Sequence, residues 1–286
     1  MSDNKVSVII PLYNAGKYLR RCLDSIAGQT FTDWECVIVD DCSTDDSYAI
    51  AEEYARRDDR FRLYANETNM GCGMTRRRAI ELGRGEWFAF VDADDYVDAD
   101  FIAAMLDACR RTRSEVAICG TYNRDDAYNY LSQDLAEKEY VVAKEELYRQ
   151  YMLSSWILQY NGNKFYHRRV IDAVEYSPLR FCEDSMTTYK WLWEANHAVV
   201  IPKSMYHYVH HDDSNSRHGN TPLRKAVDTC VCIYDHYCFC KAHGFDYMYE
   251  RLRAFIAPFL NQAVRELDTD SDDWRLVDEV RGGIYR

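Results

Sequence analysis

The chain has 286 residues, 47% of them hydrophobic, and a formal net charge of −12. That length and apolar content suit one large α/β domain, or one domain with an elaborated tail, and exclude wholesale disorder. The acidic balance argues against a general nucleic-acid binder but leaves room for a local basic pocket that takes phosphates. Eleven cysteines is an odd number, and their scatter through apolar segments (Cys22, Cys36, Cys109, Cys119) fits reduced, buried thiols. No signal peptide precedes the first apolar run, and no stretch approaches the about 20 residues of a membrane span, so a cytoplasmic protein is expected.

In chain order, Val6–Ile10 is a β-branched run ended by Pro11, which predicts a buried strand. Leu19, Cys22, Leu23 and Ile26 then recur at helical spacing. Cys36–Val39 reads as the second strand and stops at Asp40-Asp41. Ser43-Thr44-Asp45-Asp46 offers capping oxygens to a helix whose face carries Tyr48, Ala51, Tyr54 and Ala55. Phe61–Tyr64 is a short third strand, and Met74–Leu82 is a helix halted by Gly83-Arg84-Gly85. A strand at Trp87–Val91, a helix through Phe101, Ile102, Met105, Leu106 and Cys109, and a strand at Val116–Cys119 complete this half. Residues 122–140 are polar and Tyr-rich, and read as a variable loop. Beyond Pro222 three helical stretches follow, at 223–243, 247–267 and 274–280. Two CxC pairs (Cys230/Cys232 and Cys238/Cys240) fall there; zinc commonly takes CxxC, and Cys230, Ile233, Tyr234 and Tyr237 share a helical face, which favours a buried helix.

Strands alternating with helices of this length imply a largely parallel sheet covered on both faces. Ligands of such sheets bind beyond the carboxyl ends of the strands, where Pro11–Asn14, Asp40-Asp41 and Asp92–Asp95 all lie. Carboxylates as crowded as Asp92, Asp94 and Asp95 repel one another unless something positive neutralises them. Mg²⁺ or Mn²⁺ bridging one or two carboxylates to a diphosphate is the natural partner, with a solvated acidic turn as the bland alternative.

Ser7–Asn14, Leu23–Phe31, Val39–Asp45 and Gly85–Asp95 together resemble the opening segments and DxD strand of the family 2 glycosyltransferases of GT-A fold. Asn163–Tyr166, Phe181–Asp184 and Tyr206–Tyr208 are sparser signposts of the same resemblance. It implies a nucleotide-sugar donor, most readily a UDP-sugar, a divalent metal (Mn²⁺ or Mg²⁺) and inversion at the anomeric carbon. Within it, Asp41 would accept the uracil N3–H, with Pro11, Tyr13 and Asn14 beside the base and ribose. Asp92, Asp94 and Asp95 would reach ribose and metal, and Arg76 the pyrophosphate. Asp184 matches the general base, or caps the helix that follows it. His210 and His211 could complete the metal's shell from a loop at 206–218 that also holds Arg217, and that loop reads either as a lid or as a flexible polar segment. Lys164 could face diphosphate or acceptor, and Trp156, Tyr160 and Trp191 could stack on sugars or fill the core. Met70, Arg77 and Val209 depart from the family's usual Gly, Asn and Arg.

The expected domains are a GT-A unit at 1–222, with a nucleotide-binding half at 1–120 and an acceptor half at 121–222, and a helical extension at 223–286. The expected activity is metal-dependent transfer of a sugar to a glycan or lipid-linked acceptor, in cell-envelope or capsular polysaccharide synthesis. The helical extension could touch a membrane surface or form a homodimer. A nucleotidyltransferase would need a Gly-rich, Lys-bearing loop that Pro11–Gly16 does not supply. A non-catalytic nucleotide-sugar binding module is the rival of a different class, and intact Asp92, Asp94 and Asp184 argue against it.

Overall fold

The computed structural model describes residues 5–153, 160–212 and 221–285; Trp156 and the 213–220 segment with Arg217 lie outside the described residues. The chain divides into two compact units, one made of residues up to Pro178 with Thr187–His211, the other of Leu179–Met186 with Asp212–Arg286.

The first unit opens with β1 (Val6–Leu12), α1 (Gly16–Ala27), β2 (Trp34–Asp40), α2 (Ser47–Arg57), β3 (Phe61–Ala65), α3 (Cys72–Leu82) and β4 (Trp87–Phe90). The four strands run parallel in the order β3-β2-β1-β4. All seven positions of β2 and all four of β4 are buried, as a sheet covered on both faces requires. Helix α1 buries Tyr18, Leu19, Cys22, Leu23 and Ile26, the face its spacing predicts. It has no side-chain cap of its own. Instead the N–H groups of Asn14, Ala15 and Gly16 donate to Ser43 Oγ (3.0 Å), Ser47 Oγ (2.8 Å) and Asp45 Oδ2 (3.0 Å). Of the segment expected to cap α2, Asp46 makes no side-chain cap bond, Asp45 Oδ1 accepts from Ser47 N (3.0 Å), and Ser43 and Asp45 also take amides at the entry to α1. Gly16 permits this approach, since a Cβ there would collide with Asp46 Oδ1.

After β4 come β5 (Tyr96–Val97), α4 (Phe101–Thr112), β6 (Val116–Arg124), β7 (Tyr130–Asp134), β8 (Tyr140–Ala143), α5 (Lys144–Leu153), β9 (Lys164–His167), α6 (Arg168–Asp172), α7 (Glu183–Glu194) and β10 (His197–Val209). The sheet continues as β4-β9-β6-β10-β5, with β9 antiparallel to both β4 and β6. β7 folds back on β6, and β8 pairs β10. Residues 122–140, expected as a loop, are thus sheet at 122–124, 130–134 and 140, with turns between. The expectation failed because β7 is an edge strand with four of its five residues exposed, so it carries no apolar run to read.

The second unit holds α8 (Pro222–His243), a 3₁₀ turn at Asp246–Met248, α9 (Tyr249–Glu266) and α10 (Asp272–Tyr285). Thr221 caps α8 by accepting from Arg224 N (3.1 Å) and Pro222 takes its first turn. Gly244 ends it in the left-handed region at φ 73°, the usual stop for a helix. Cys230, Cys232 and Cys240 are buried along α8 and Cys238 is exposed. Among the described residues no helix is long and apolar enough to cross a membrane.

Candidate active site

At the carboxyl end of β2, Asp41 is only 3% exposed. Its carboxylate accepts from Asn66 Nδ2 (2.7 Å), Met70 N (2.7 Å) and Gly71 N (2.8 Å). The loop before α3 is therefore held through backbone amides, which explains why Met70 can stand in place of glycine while its side chain points to solvent. Neighbouring Asp40 accepts from Ser43 N with one oxygen (3.1 Å) and leaves Oδ1 buried without a partner. Asn14, beyond β1, adopts a left-handed φ of 48° that asparagine tolerates better than most residues. From there its Oδ1 accepts from Thr44 N (2.7 Å). Pro11 is half-buried and Tyr13 exposed on the same edge.

The acidic turn after β4 is tightened by Asp95 N donating to Asp92 O (3.0 Å), and it sends its three carboxylates in different directions. Asp92 Oδ1 accepts from the Arg76 guanidinium (2.7 Å). Asp94 Oδ2 lies 2.8 Å from His211 Nε2. Asp95 turns inward, accepting from Tyr206 Oη–H (2.6 Å) and Val209 N (2.8 Å) at 2% exposure. Burial drives the Asp95 carboxyl well above the usual carboxylate range, and the charges of Asp94 and Asp92 push the same way. Tyr206 is itself raised, first by burial and then by Asp95 and Asp92. Asp95 was expected among the metal ligands; the structure commits both its oxygens to β10 instead.

Arg76 is 3% exposed and also donates to Tyr176 Oη (2.8 Å), which accepts from Asn161 Nδ2 (3.1 Å). Its neighbours go elsewhere: Arg77 pairs with Glu81 and Glu175, and Arg78 donates to Ala65 O and Asn66 Oδ1. Of the three consecutive arginines, only Arg76 meets the acidic turn. His210 Nε2 lies 2.9 Å from Asn123 Oδ1, so this candidate ligand is engaged by β6. Lys164 is fully buried in β9, donating to Tyr160 O (2.7 Å) and Asn163 Oδ1 (2.8 Å). The role expected for it at the diphosphate gives way to a bond that ties β9 to the preceding turn. Asp184 lies in the first turn of α7, within the second unit, where the helix N-terminus favours a negative charge.

Several residues of this site receive no role from the sequence, although Tyr206 and His207 fall within a family signpost. Tyr206 bridges Asp95 and, as acceptor, Asp92 N (3.3 Å). Tyr18 packs against His211 at 4.4 Å between centroids, the rings tilted by 32°, and donates to Asp126 Oδ1 (2.7 Å). His207 is sandwiched by Tyr96 (4.2 Å) and Tyr122 (4.8 Å). Arg124 Nε donates to its Nδ1 (3.2 Å), so the ring proton sits on Nε2 and is given to Asp98 (2.8 Å). Burial lowers its pKa, with the Asp98 bond opposing.

The donor set suits a divalent ion that shares its shell with a ligand's phosphates rather than one caged by protein. Among the described residues no group of three His, Cys, Asp or Glu side chains forms a closed metal site. Asp94, with Asp92 beside it, offers carboxylate oxygen, and His211 faces Asp94 through Nε2. Oxygen with imidazole favours Mn²⁺ over Mg²⁺.

Residues 7–174 match the family described as "Glycosyl transferase family 2". The chain is 29% identical over 286 aligned residues to the putative glycosyltransferase EpsH of Bacillus subtilis, covering 88% of this chain and 82% of that protein. It is 30% identical to the poly(ribitol-phosphate) β-N-acetylglucosaminyltransferase TarS of Staphylococcus aureus, over 72% of this chain and 35% of TarS. The crystal structure of TarS residues 1–349 with UDP-GlcNAc superimposes with a TM-score of 0.69 at 22% identity, covering 98% of this chain and 81% of that one. The mannosyltransferase PcManGT of Pyrobaculum calidifontis, solved with GDP-Man and Mn²⁺, does so at 0.57 and 15% identity, over 98% and 84%. With a strand order that gathers Asp41, Asp92 and Asp94 on one edge and a family match over more than half its length, the chain belongs to glycosyl transferase family 2 and is a glycosyltransferase of GT-A fold.

Proposed function

We propose that the enzyme is an inverting, divalent-metal-dependent transferase that moves a sugar from a UDP-sugar to a hydroxyl of a glycan or lipid-linked acceptor, in cell-envelope or capsular polysaccharide synthesis. The observation that carries this reading is the Asp94–His211 pair at the strand edge that also presents Asp41. TarS, a relative solved with UDP-GlcNAc, supports the choice of nucleotide and of a polymeric acceptor.

Pro11 and Tyr13 would flank the uracil. The Asp41 carboxylate, with three of its about four acceptor positions taken, keeps one for N3–H, and the unpaired Asp40 Oδ1 is a second acceptor beside it. Arg76 balances the charge of Asp92, which leaves Asp94 and His211 to hold the metal. The metal, when bound, supplies Lewis-acid stabilisation of the leaving diphosphate. Asp184 would take the proton from the acceptor hydroxyl as that oxygen attacks in line, which inverts the anomeric carbon.

Calorimetry of UDP binding, with and without Mn²⁺, on wild type and Asp94→Ala tests the reading. Binding that requires both metal and Asp94 supports it, and UDP-GlcNAc is then the first donor to assay for UDP release. Binding indifferent to both would refute the metal assignment, and a preference for GDP would refute the choice of nucleotide.

A further inference from the structure

The candidate base sits just after a short segment whose backbone is held by one buried side chain. Asp228, on α8, is fully buried. Its Oδ2 accepts from two consecutive amides, Arg180 N (3.2 Å) and Phe181 N (2.9 Å). Its Oδ1 accepts from Arg224 Nε (2.8 Å), and the second guanidinium nitrogen bonds the same oxygen. Arg224 in turn reaches Asp273 on α10 (3.2 Å).

The next residue, Cys182, takes a left-handed φ of 61°, strained for a side chain with a Cβ. The strain is held from the same helix face. Cys182 Sγ lies 3.7 Å from Thr229 Oγ1 and is hydrogen-bonded to Cys232, one turn further along α8. The chain then enters α7, with Met186 N donating to Cys182 O (2.9 Å), so that Asp184 falls in the turn this bond closes. Residues 228, 229 and 232 thus grip residues 180–182 one after another.

We infer that Asp228 is a positioning residue for the transfer reaction: by fixing the backbone at Arg180 and Phe181 it sets where the carboxylate of Asp184 is held. This rests on the proposed role of Asp184 as base. A carboxylate suits the task because it can accept from two adjacent amides and a guanidinium at once. Asparagine cannot do so without aiming its NH₂ at one of those donors. A displacement of even about 1 Å at a reacting group lowers turnover by as much as about 100-fold.

The test is a double-mutant cycle on the full chain, reading UDP release from UDP-GlcNAc with water as acceptor, alongside amide exchange of the 179–186 segment. Asp184→Asn is expected to slow release by about 10² to 10⁴-fold. Asp228→Ala should slow it about 10-fold or more while UDP affinity holds. The double variant should be no slower than Asp184→Asn alone, because a residue acting through another has nothing further to remove. Exchange at 179–186 should quicken in Asp228→Ala. Should that variant not fold, Asp228→Asn replaces it under the same criteria. Wild-type turnover in a folded Asp228 variant, a loss that adds in full to that of Asp184→Asn, or unchanged exchange would each overturn the inference. Wild-type turnover in Asp184→Asn would instead remove the base assignment itself. If wild type releases no UDP from this donor, unchanged exchange alone refutes the inference and quickened exchange supports the anchor.

Discussion

His211 Nε2 lies 2.8 Å from Asp94 Oδ2 while its Nδ1 is buried without a partner beneath the ring of Tyr18. The imidazole is thus held on one face by Tyr18, and its Nε2 meets Asp94 where a divalent ion seated between the two would replace their hydrogen bond. If that ion is shared with a diphosphate, Asp94→Ala and His211→Ala should each weaken Mn²⁺-supported UDP binding by about 10- to 100-fold. Neither should alter binding measured in EDTA. Calorimetry reads both, and equal losses with and without metal would contradict the prediction.

Tyr18 links that imidazole to the tip of the β6–β7 hairpin through Asp126, which also pairs with Lys17 (2.6 Å). Tyr18→Phe keeps the ring and should leave Mn²⁺-supported UDP affinity within about 3-fold of wild type, whereas Tyr18→Leu should weaken it by about 10-fold or more. Equal affinities in the two variants would mean that the Tyr18 ring does not hold His211.

Arg76 offers a stability test. Its guanidinium is almost fully buried between Asp92 and Tyr176. Arg76→Met removes the counter-charge and takes from Tyr176 Oη one of its donors. Because Asp92 is about a third exposed, water offsets part of the loss. A destabilisation of about 2–3 kcal/mol is expected, seen as a Tm lower by about 4–12 °C. An unchanged Tm would show that solvent alone carries the charge of Asp92.

His207 sets a pH dependence whose sign can be worked out. Burial lowers its folded pKa below the ordinary 6.5, so the unfolded chain binds the extra proton first as pH falls. Its contribution is fully present above pH 6.5 and is lost as pH drops from there through the folded value. Asp98, Arg124 and Arg21 are the charges that face it. A Tm series from about pH 7.5 to about pH 5 should fall more steeply for wild type than for His207→Gln. Parallel curves would mean that the ring takes up its proton equally in the folded and unfolded chain.

Gly162 probes the support of the acidic turn. A Cβ there would collide with the Tyr206 ring, the side chain whose hydroxyl holds Asp95 and Asp92 N. Gly162→Ala should therefore destabilise by about 1–3 kcal/mol and also weaken Mn²⁺-supported UDP binding. Loss of stability with unaltered binding would separate Tyr206 from the site.

What the sequence reveals and conceals here follows from the range of each interaction. The runs at Val6–Ile10, Cys36–Val39 and Trp87–Val91 announce buried strands because both faces are covered, and the face of α1 is written in four residues. The family segments likewise put Asp41, Asp92 and Asp94 at the strand ends. Spacing along a chain cannot tell which of three neighbouring carboxylates turns inward; that choice belongs to Tyr206 and Val209, more than a hundred positions away. For the same reason Lys164 reads as a ligand-facing cation, when its partners are the carbonyl of Tyr160 and the amide of Asn163. The hairpin at 122–134 is hidden for a different reason, because an exposed edge strand has the composition of a loop.

Strand β9 has only four residues, Lys164–His167, yet it is the seam between β4 and β6. During synthesis the first four strands can align in the order they emerge, but the outer edge of β4 stays bare until this late, short strand slots in against the current of its neighbours. A nascent chain, or a truncation ending before Lys164, would therefore display an open parallel edge directly beneath the acidic turn, a surface on which other copies could template. Completing the sheet and protecting it from self-association are in this protein a single event, and they wait on one four-residue strand.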